Sequence, residues 1–454
     1  MEIIEKFVIP PSSNHVMLVK YILTISLLLF IPYVGMMLGA TYISTNFRKK
    51  ALKTGNALYE RFAKDVIQKL TITKNAELAL GTLPALSITF CYAQLLYEAN
   101  TITISIMCLA TAVLAIAFAF IYKYRTTFLV EDVLNSYRKL IGDKQLDSED
   151  KDYQNVHSYE ERISMLNNNW GRLGKYLLFS AIYLFFGCTA LATTPYRWES
   201  VENILEIIFS LQTIWNFCFI LSIGGIMTGG AIIFFFFKWQ GGVKNMDDEY
   251  ASFVRGYASK ILFVSSLCFP LFMFFGFLYM PEIARSPSVF VYLILTLLSL
   301  IILCNMIYSM IKNSDIKYGT AIFILAFVVI TFSILKDQSL LGNAVQPETL
   351  EATEVAEKME KEAKLKLMTA GGINPELIYT QKCGACHKLD QKLIGPPHNL
   401  VVPKYNGDVK KLAEFIFNPQ KIDPAYPPMP NQGLKKKEAS VMAQYLLDMV
   451  AGKK

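Results

Sequence analysis

Residues 207–237 read IIFSLQTIWNFCFILSIGGIMTGGAIIFFFF and contain no charged side chain. A transmembrane helix needs about 20 mostly apolar residues to cross roughly 30 Å of hydrocarbon, so this stretch is long enough to span a membrane. Seven other stretches have the same character. The eight predicted spans are 16–43, 77–97, 102–123, 174–194, 207–237, 257–280, 287–311 and 317–336. They predict an all-α fold, a polytopic membrane helical bundle.

The composition of the whole chain agrees with this prediction. Of its 454 residues, 53% are hydrophobic and 18% are charged, whereas an ordinary soluble protein carries about 25% charged residues. A water-soluble multidomain enzyme is therefore excluded as a description of the whole chain. The 31 Phe and 24 Tyr residues also exclude disorder as the main state, because they can bury a large apolar surface.

The positive charges of the membrane part predict its orientation. Loops 44–76 and 124–173 are rich in Lys and Arg, whereas loop 98–101 contains neither. Cytoplasmic loops carry the excess of positive charge. We therefore predict a multi-pass protein of the bacterial inner (cytoplasmic) membrane, with its N- and C-termini in the periplasm and in contact with membrane lipid. The basic residues are explained by this topology, and no nucleic-acid partner is predicted.

The composition changes after the last span. Residues 337–372 are predicted to form a charged helical linker, because Glu354–Lys358, Glu357–Lys361 and Glu360–Lys364 stand at the helical i, i+4 spacing. Pro347 suits the first turn of this helix, and Gly371–Gly372 is predicted to end it. The predicted domains are a transmembrane helical domain over 1–336, this linker, and a compact soluble domain over 373–454.

The soluble segment contains the sequence Cys383-Gly384-Ala385-Cys386-His387. C-x-x-C-H is the attachment motif for c-type haem. The thiols of Cys383 and Cys386, three positions apart, can each add to one haem vinyl group, and the adjacent His387 then faces the iron as its proximal ligand. The motif predicts one covalently bound haem c. A redox dithiol and half of a zinc site are the alternatives.

Together with the motifs around it, this segment resembles a class I, monohaem c-type cytochrome. The resemblance rests on Tyr379 four residues before Cys383, Gly395-Pro396, Phe417-Asn418-Pro419, Tyr426-Pro427-Pro428-Met429-Pro430 and a closing helix from Lys437 to Met449. It implies a C-terminal soluble cytochrome c domain in the periplasm. It also implies that the Pro396 carbonyl accepts the Nδ1–H of His387, and that Tyr445 packs against the helix that carries Tyr379.

The resemblance also implies that Met429 is the distal iron ligand. Thioether ligation opposite His raises the reduction potential. His398 is the rival sixth ligand, or else a surface-loop histidine, whereas Met442 and Met449 are interpreted as core residues. A haem with His and Met ligands has no open position, which favours electron transfer over oxygen chemistry.

The soluble segment is basic. Residues 373–454 contain twelve Lys and seven acidic residues, a net formal charge of about +5. Lys435, Lys436 and Lys437 follow the Met429 loop directly. Such a patch could steer an acidic partner, and a solvated face at a helix start is the alternative.

The membrane part has few candidate haem ligands. The four histidines of the chain are His15, His157, His387 and His398, and only His15 lies at a predicted span. The first span and the segment through Leu80-Gly81-Thr82-Leu83-Pro84 weakly resemble the large subunit of cytochrome bd-type oxidoreductases. This resemblance implies an additional haem b or a quinone site involving His15. The family's other haem ligands and its paired glutamates have no counterpart in this sequence.

Small residues and thiols in the spans favour packing within the chain. Gly225 and Gly229 form a G-x-x-x-G sequence, which lets another backbone approach closely. Packing within the chain is favoured over the docking of a partner subunit. The six remaining cysteines are interpreted as apolar packing residues without disulfides. They are Cys91, Cys108, Cys188, Cys218, Cys268 and Cys304.

Three functions remain open at this point. The first is a membrane-anchored c-type cytochrome subunit of a respiratory or other membrane redox complex, with other membrane redox subunits and a periplasmic electron donor or acceptor as partners. The second is a bd-like, quinol-linked oxidoreductase subunit. The third is a haem-based redox sensor that reports to the 124–173 loop. No catalytic residue is predicted.

Overall fold

The structure is a computed structural model of the chain. It describes residues 13–71, 73–96, 101–141, 151–194, 203–239, 246–313, 315–369 and 373–451, together with residues 197, 201 and 242. Over these residues the fold is helical, without β-strands. The chain divides into two compact units, a first unit Met1–Thr353 and a second unit Glu354–Lys454.

The first unit consists of long helices joined by short connections. They are α1 (Ser13–Thr54), α2 (Ala57–Leu70), α3 (Lys74–Glu77), α4 (Leu83–Leu95), α5 (Thr101–Ile141), α6 (Lys151–Ala192), α7 (Ile204–Ile208), α8 (Leu211–Phe237), α9 (Asp248–Leu278), α10 (Pro287–Asn313) and α11 (Gly319–Ala344). A π-helical turn, Leu78–Thr82, joins α3 to α4. Helix α12 (Gln346–Thr369) follows and contains the division between the units.

Eight helical segments in the described part of the chain are long and apolar enough to cross a membrane. They are Asn14–Thr54, Lys74–Leu95, Ile102–Ser136, Glu161–Ala192, Leu211–Phe237, Asp248–Leu278, Pro287–Asn313 and Gly319–Ala344. The predicted number and order of the spans are confirmed. Several helices extend well beyond the predicted apolar stretches, because helical hydrogen bonding continues into segments whose charged side chains pair with one another.

Two further differences at the predicted span boundaries have a local structural cause. Residues 207–210 are not part of the long helix α8: Asn203 caps the separate short helix α7 by accepting from the Leu205 N–H at 3.2 Å, and the chain turns before Leu211. At the other end of the unit, α11 continues through residues 337–344, which the sequence assigned to the linker. The charge of Lys336 suggested that the apolar span ends there. The Lys336 side chain instead pairs with Asp337 at 2.8 Å, and Leu340 and Leu341 beyond it are buried, so the helix continues.

Helix α1 packs against α2, α4, α6, α8 and α11 and so forms the centre of the first unit. Its crossing with α8 depends on glycine, because a Cβ atom on Gly35 would lie 3.1 Å from the Cα atom of Gly224. On another face of α8, a Cβ atom on Gly229 would lie 2.6 Å from Cγ of Leu262 in α9, and Gly225 faces Ser265. The favoured interpretation of the G-x-x-x-G sequence, packing within the chain, is confirmed.

A network of ion pairs ties α1, α2 and α5 together. Arg48 is only 8% exposed and binds both Glu60 and Glu131, the latter at 2.6 Å. Lys64 of α2 pairs with Asp132 of α5. Buried charges are tolerated in proteins when they are paired, so these contacts allow charged residues to enter the packed interior of the unit.

The second unit contains short helical elements and one longer closing helix. They are α13 (Pro375–Ile378), the π-helical turn Tyr379–Cys383, α14 (His398–Val401), the 3-10 turn Val402–Tyr405, α15 (Val409–Phe417) and α16 (Lys436–Val450). Helix α15 packs against α16 around a core that includes Leu412, Ile416, Met442 and Leu446. Helix α12 is the charged helix expected from the sequence, with Pro347 in its first turn. Its predicted end at Gly371–Gly372 lies outside the described residues.

Candidate haem site

The C-x-x-C-H sequence lies at the end of the first helical segment of the second unit. Asn374 starts this segment by accepting from the N–H groups of Glu376 and Leu377. At its other end, the N–H of Gly384 donates to the Tyr379 carbonyl at 2.7 Å, and the N–H of His387 donates to the Cys383 carbonyl at 3.0 Å. These bonds coil the motif into compact turns, and both thiols are free.

His387 is fixed by contacts on both its ring and its backbone. Its Nδ1 lies 2.8 Å from the Pro396 carbonyl, which can only accept, so Nδ1 carries the proton and Nε2 has a free lone pair. The Tyr379 hydroxyl donates to the His387 carbonyl at 3.2 Å. The hydrogen bond that the resemblance implied between Pro396 and His387 is therefore present, and Tyr379 holds the same residue from the other side.

Gly395 makes room for the imidazole ring. Its N–H donates to the Cys386 carbonyl at 2.9 Å, which folds the following loop back onto the motif. A Cβ atom on Gly395 would lie 2.3 Å from Cε1 of His387. This approach is far too close for any side chain, so glycine is required for the observed position of the ring.

A cavity of about 360 Å³ lies in front of these residues. Cys383, His387, Pro396 and Met429 line it, together with apolar core residues such as Leu412. Cys386 and Met429 line a smaller adjoining cavity. The structure therefore brings together five of the predicted site residues, while Tyr379 acts through its hydrogen bond to His387.

The residues around this cavity fit a c-type haem. They supply two thiols, an imidazole with a defined tautomer and a thioether, which is the donor set of a His/Met haem. Burial, with a smaller effect of Cys386, raises the pKa of the Cys383 thiol to about 11. The alternative of a zinc site finds no support, because the described residues contain no group of three or more His, Cys, Asp or Glu side chains placed to hold a metal ion.

His398 is not the surface-loop histidine that the sequence suggested. It is 5% exposed, and its ring stacks on that of His387 with centroids 5.1 Å apart. Two stacked rings lie on the same side of any haem bound by one of them, which counts against His398 as the opposite ligand and leaves Met429 as the candidate. Burial, reinforced by His387, lowers the pKa of His398 to about 4, so its ring is neutral at pH 7.

The lysines at the cavity differ from those that the sequence singled out. Lys404 and Lys421 line the cavity, whereas Lys435, Lys436 and Lys437 are exposed and do not line it. The backbone N–H of Lys435 donates to the Glu438 carboxylate at 2.7 Å at the start of α16. The alternative interpretation of the triplet, a solvated face at a helix start, agrees with this position. Lys404 lies in the 3-10 turn Val402–Tyr405 and Lys421 in a loop, and neither belongs to a sequence motif.

The remaining predictions concern packing and the first unit. The rings of Tyr379 and Tyr445 are 5.9 Å apart, as the resemblance implied, and Met442 is fully buried in the core. His15 lies in the first turn of α1 and is exposed. The structure does not test a haem b or quinone site at His15, which stays a prediction.

Comparisons with known proteins bear on the haem motif. No family profile matches the chain, and no solved structure matches it. The chain is 30% identical over 101 residues to cytochrome c-551 of Pseudomonas aeruginosa, a match that covers 20% of this chain and 97% of that protein. It is 32% identical over 77 residues to cytochrome c-551 of Pseudomonas denitrificans, covering 16% and 94% respectively.

These relatives support the resemblance to c-type cytochromes and leave the resemblance to bd-type oxidoreductases without support. Their length corresponds to a small part of this chain, so they say nothing of its membrane helices. Through the region that these relatives cover, the chain belongs to the family of cytochrome c-551.

Proposed function

We propose that this protein is a membrane-anchored c-type cytochrome that transfers electrons through one covalently bound haem c. The observation that carries the proposal is the hydrogen bond between His387 Nδ1 and the Pro396 carbonyl, which fixes the histidine of a C-x-x-C-H motif beside a cavity lined by Met429. The eight apolar helices of the described chain supply the anchor.

Each site residue has a distinct role in this proposal. Cys383 and Cys386 would hold the haem through thioether bonds, and His387 and Met429 would be the ligands of its iron. Pro396 and Tyr379 are positioning residues, because they act on His387 by hydrogen bonds. The haem supplies one-electron redox chemistry when it is bound.

The geometry supports electron transfer more than catalysis. With His387 and Met429 both as ligands, the iron would have no position left open for a substrate. Apolar residues from α15 and α16 line part of the cavity.

The location and partners follow from the charge distribution. The positive-inside pattern supports a C-terminal segment in the periplasm of a bacterial inner membrane. We infer that the protein acts within a respiratory or other membrane redox complex, with neighbouring membrane redox subunits and a periplasmic donor or acceptor. Lys404 and Lys421 at the cavity make an acidic partner surface the best match.

The test is haem stoichiometry and type in the purified full-length protein. A pyridine haemochrome spectrum should show one c-type haem per chain, and this haem should survive acid–acetone extraction. Absence of covalent haem would refute the proposal. An additional b-type haem that is lost in His15→Ala would instead favour the bd-like oxidoreductase, and co-purification with a cytoplasmic signalling protein would favour the redox sensor.

A further inference from the structure

A second cavity, of about 130 Å³, lies within the first unit. It is found where α8 begins and where α4, α9 and α11 approach their ends. Its walls are mainly apolar and aromatic, with contributions from Tyr92, Phe186, Trp215 and Phe272. The ring of Trp215 stacks on that of Phe275 at a centroid distance of 4.2 Å. This cavity is separate from the haem site, because all of its lining residues belong to the first unit.

An unpartnered hydroxyl group lines the cavity. Ser333 of α11 is 1% exposed, and its Oγ has no hydrogen-bond partner among the described residues. Other buried hydroxyls in the spans have partners: Thr89 donates to the Ala85 carbonyl at 2.8 Å and Thr111 to the Met107 carbonyl at 2.9 Å. Because a buried hydroxyl without a partner costs free energy, a ligand atom that accepts from Ser333 would be stabilised here.

A buried lysine, paired with a half-exposed aspartate, also lines the cavity. Lys336 is one helical turn after Ser333, is 8% exposed and also lines the cavity. Its Nζ contacts Asp337 at 2.8 Å and lies over the ring of Phe219. The ammonium group has three N–H donors, so it can donate to a ligand while it stays paired with Asp337. Since Asp337 already balances the charge, a neutral acceptor fits this site better than a carboxylate.

The size of the cavity and its wall at Gly276 limit the shape of the ligand. An apolar cavity of about 150 Å³ is known to hold a benzene molecule, so this one suits a single six-membered ring. Gly276 of α9 lines the cavity and is exposed, and a Cβ atom added there would meet no atom within 4 Å. The open space at Gly276 provides a way out for a chain attached to the ring.

We propose that this cavity binds a neutral, lipid-soluble molecule with a ring-sized head that carries carbonyl oxygens, the chemical class of membrane quinones. Ser333 and Lys336 donate to the carbonyl oxygens, the aromatic walls contact the ring, and the apolar chain leaves past Gly276. The proposal concerns binding in the first unit alone and does not depend on haem attachment at Cys383 and Cys386.

The test measures binding of decylubiquinone to the full-length protein in lipid nanodiscs by isothermal titration calorimetry. Ser333→Ala should weaken binding roughly tenfold, the equivalent of one lost hydrogen bond of about 1.4 kcal/mol. Gly276→Leu should abolish it by blocking the exit of the chain. Ser259→Ala is the matched control for the first variant, since Ser259 is a buried helix serine that donates to the Arg255 carbonyl at 2.7 Å.

Gly256→Leu is the control for the second variant. It lies in the same helix, also has no atom within 4 Å of an added Cβ, and does not line the cavity. Failure of the unsubstituted protein to bind decylubiquinone would overturn the proposal, as would equal affinity in all four variants or tighter binding of oleate than of decylubiquinone. Haem content, measured on the same samples, reports separately on the cytochrome assignment.

Discussion

Glycines and buried polar or charged side chains have different roles in the two units. In the first unit, glycines such as Gly35 and Gly224 bring helices together, and buried charges such as Arg48 are paired with acidic side chains. In the second unit, Gly395 makes room for the ring of His387, and the buried Nε2 of His398 has no partner in the described part of the chain. The first unit is built mainly for packing, whereas the second is folded around a site.

This difference predicts that substitutions in the two units will have different effects. Changes near the cavity of the second unit should alter haem attachment, ligation or potential. Changes in the first unit should alter stability while the haem stays bound. The predictions below test this division, beginning with the largest expected effect.

The largest effect is expected for the double substitution Cys383→Ser and Cys386→Ser. Without the two thiols no thioether bond can form, so covalent haem should be absent from the full-length protein on a denaturing gel stained for haem. Cys108→Ser is the control, because Cys108 is an exposed cysteine of α5 in the first unit. Covalent haem in the double variant, or its loss in the control, would contradict the assignment.

Gly395→Ala should disturb His387 without removing either thiol. The new Cβ would lie 2.3 Å from Cε1 of the imidazole ring, so the ring must move away from its present position. We expect haem to remain attached but the low-spin visible and electron paramagnetic resonance spectra to be lost. Gly384→Ala is the matched control, since its Cβ would lie no closer than 3.4 Å to its nearest neighbour. Unchanged spectra in Gly395→Ala would show that His387 is not the ligand.

Met429→Ala should lower the midpoint potential by roughly 0.1–0.3 V, because axial ligands set haem potentials over a range of about 0.8 V. The sulfur-to-iron absorption band in the near-infrared should disappear in the same variant. Met449→Leu serves as the control, because Met449 lies in α16 and packs against the core of the second unit. If the band persists in Met429→Ala, another residue is the distal ligand.

Arg48→Met should destabilise the first unit and leave the haem spectrum unchanged. Arg48 is 8% exposed and binds two carboxylates, so its loss leaves Glu131 without its partner and should cost about 3–5 kcal/mol. Thermal unfolding in detergent, followed by circular dichroism, measures this effect. The exposed pair of Lys411 with Asp408 is the contrast, and Lys411→Met should lower the stability much less than Arg48→Met does. Equal losses of stability in Arg48→Met and Lys411→Met would contradict the argument that the buried pairs of Arg48 matter more than an exposed pair.

The smallest effect concerns the start of α15. The backbone N–H groups of Lys411 and Lys410 donate to the Asp408 carboxylate and hold its pKa below its usual range. A lowered pKa means that the carboxylate stabilises the helix at neutral pH, and that this contribution is lost as the pH falls through the folded-state pKa. Asp408→Ala should therefore speed hydrogen exchange in α15 at pH 7. At acidic pH the exchange rates of the variant and the unsubstituted protein should differ less. Asp408→Asn should retain most of the protection, because Asn also caps helices.

The sequence predicted most of the fold because apolar length is a strong signal. All eight spans were found, since each contains a run of apolar residues long enough to cross a membrane. The break before Leu211 was missed because Phe209 and Ser210 do not mark a turn in an apolar context. The end of α11 was placed too early because the pairing of Lys336 with Asp337 depends on side-chain geometry that the sequence does not show.

The sequence predicted the parts of the candidate haem site that lie within a short motif. It did not predict the parts that depend on tertiary contacts. The Cys383, Cys386 and His387 motif and the contact of His387 with Pro396 lie within a short segment, so a sequence pattern describes them. The burial of His398 against His387 and the positions of Lys404 and Lys421 depend on how the following loop folds back. Neither the periodicity nor the residue spacing of the sequence indicates how this loop folds.

The intact mass of the purified full-length protein under denaturing conditions tests the central claim most directly. The account predicts a mass equal to that of the chain plus one haem, with the added mass located by peptide mapping on the segment that contains Cys383 and Cys386. A mass equal to the chain alone, or an adduct on any other segment, would contradict it.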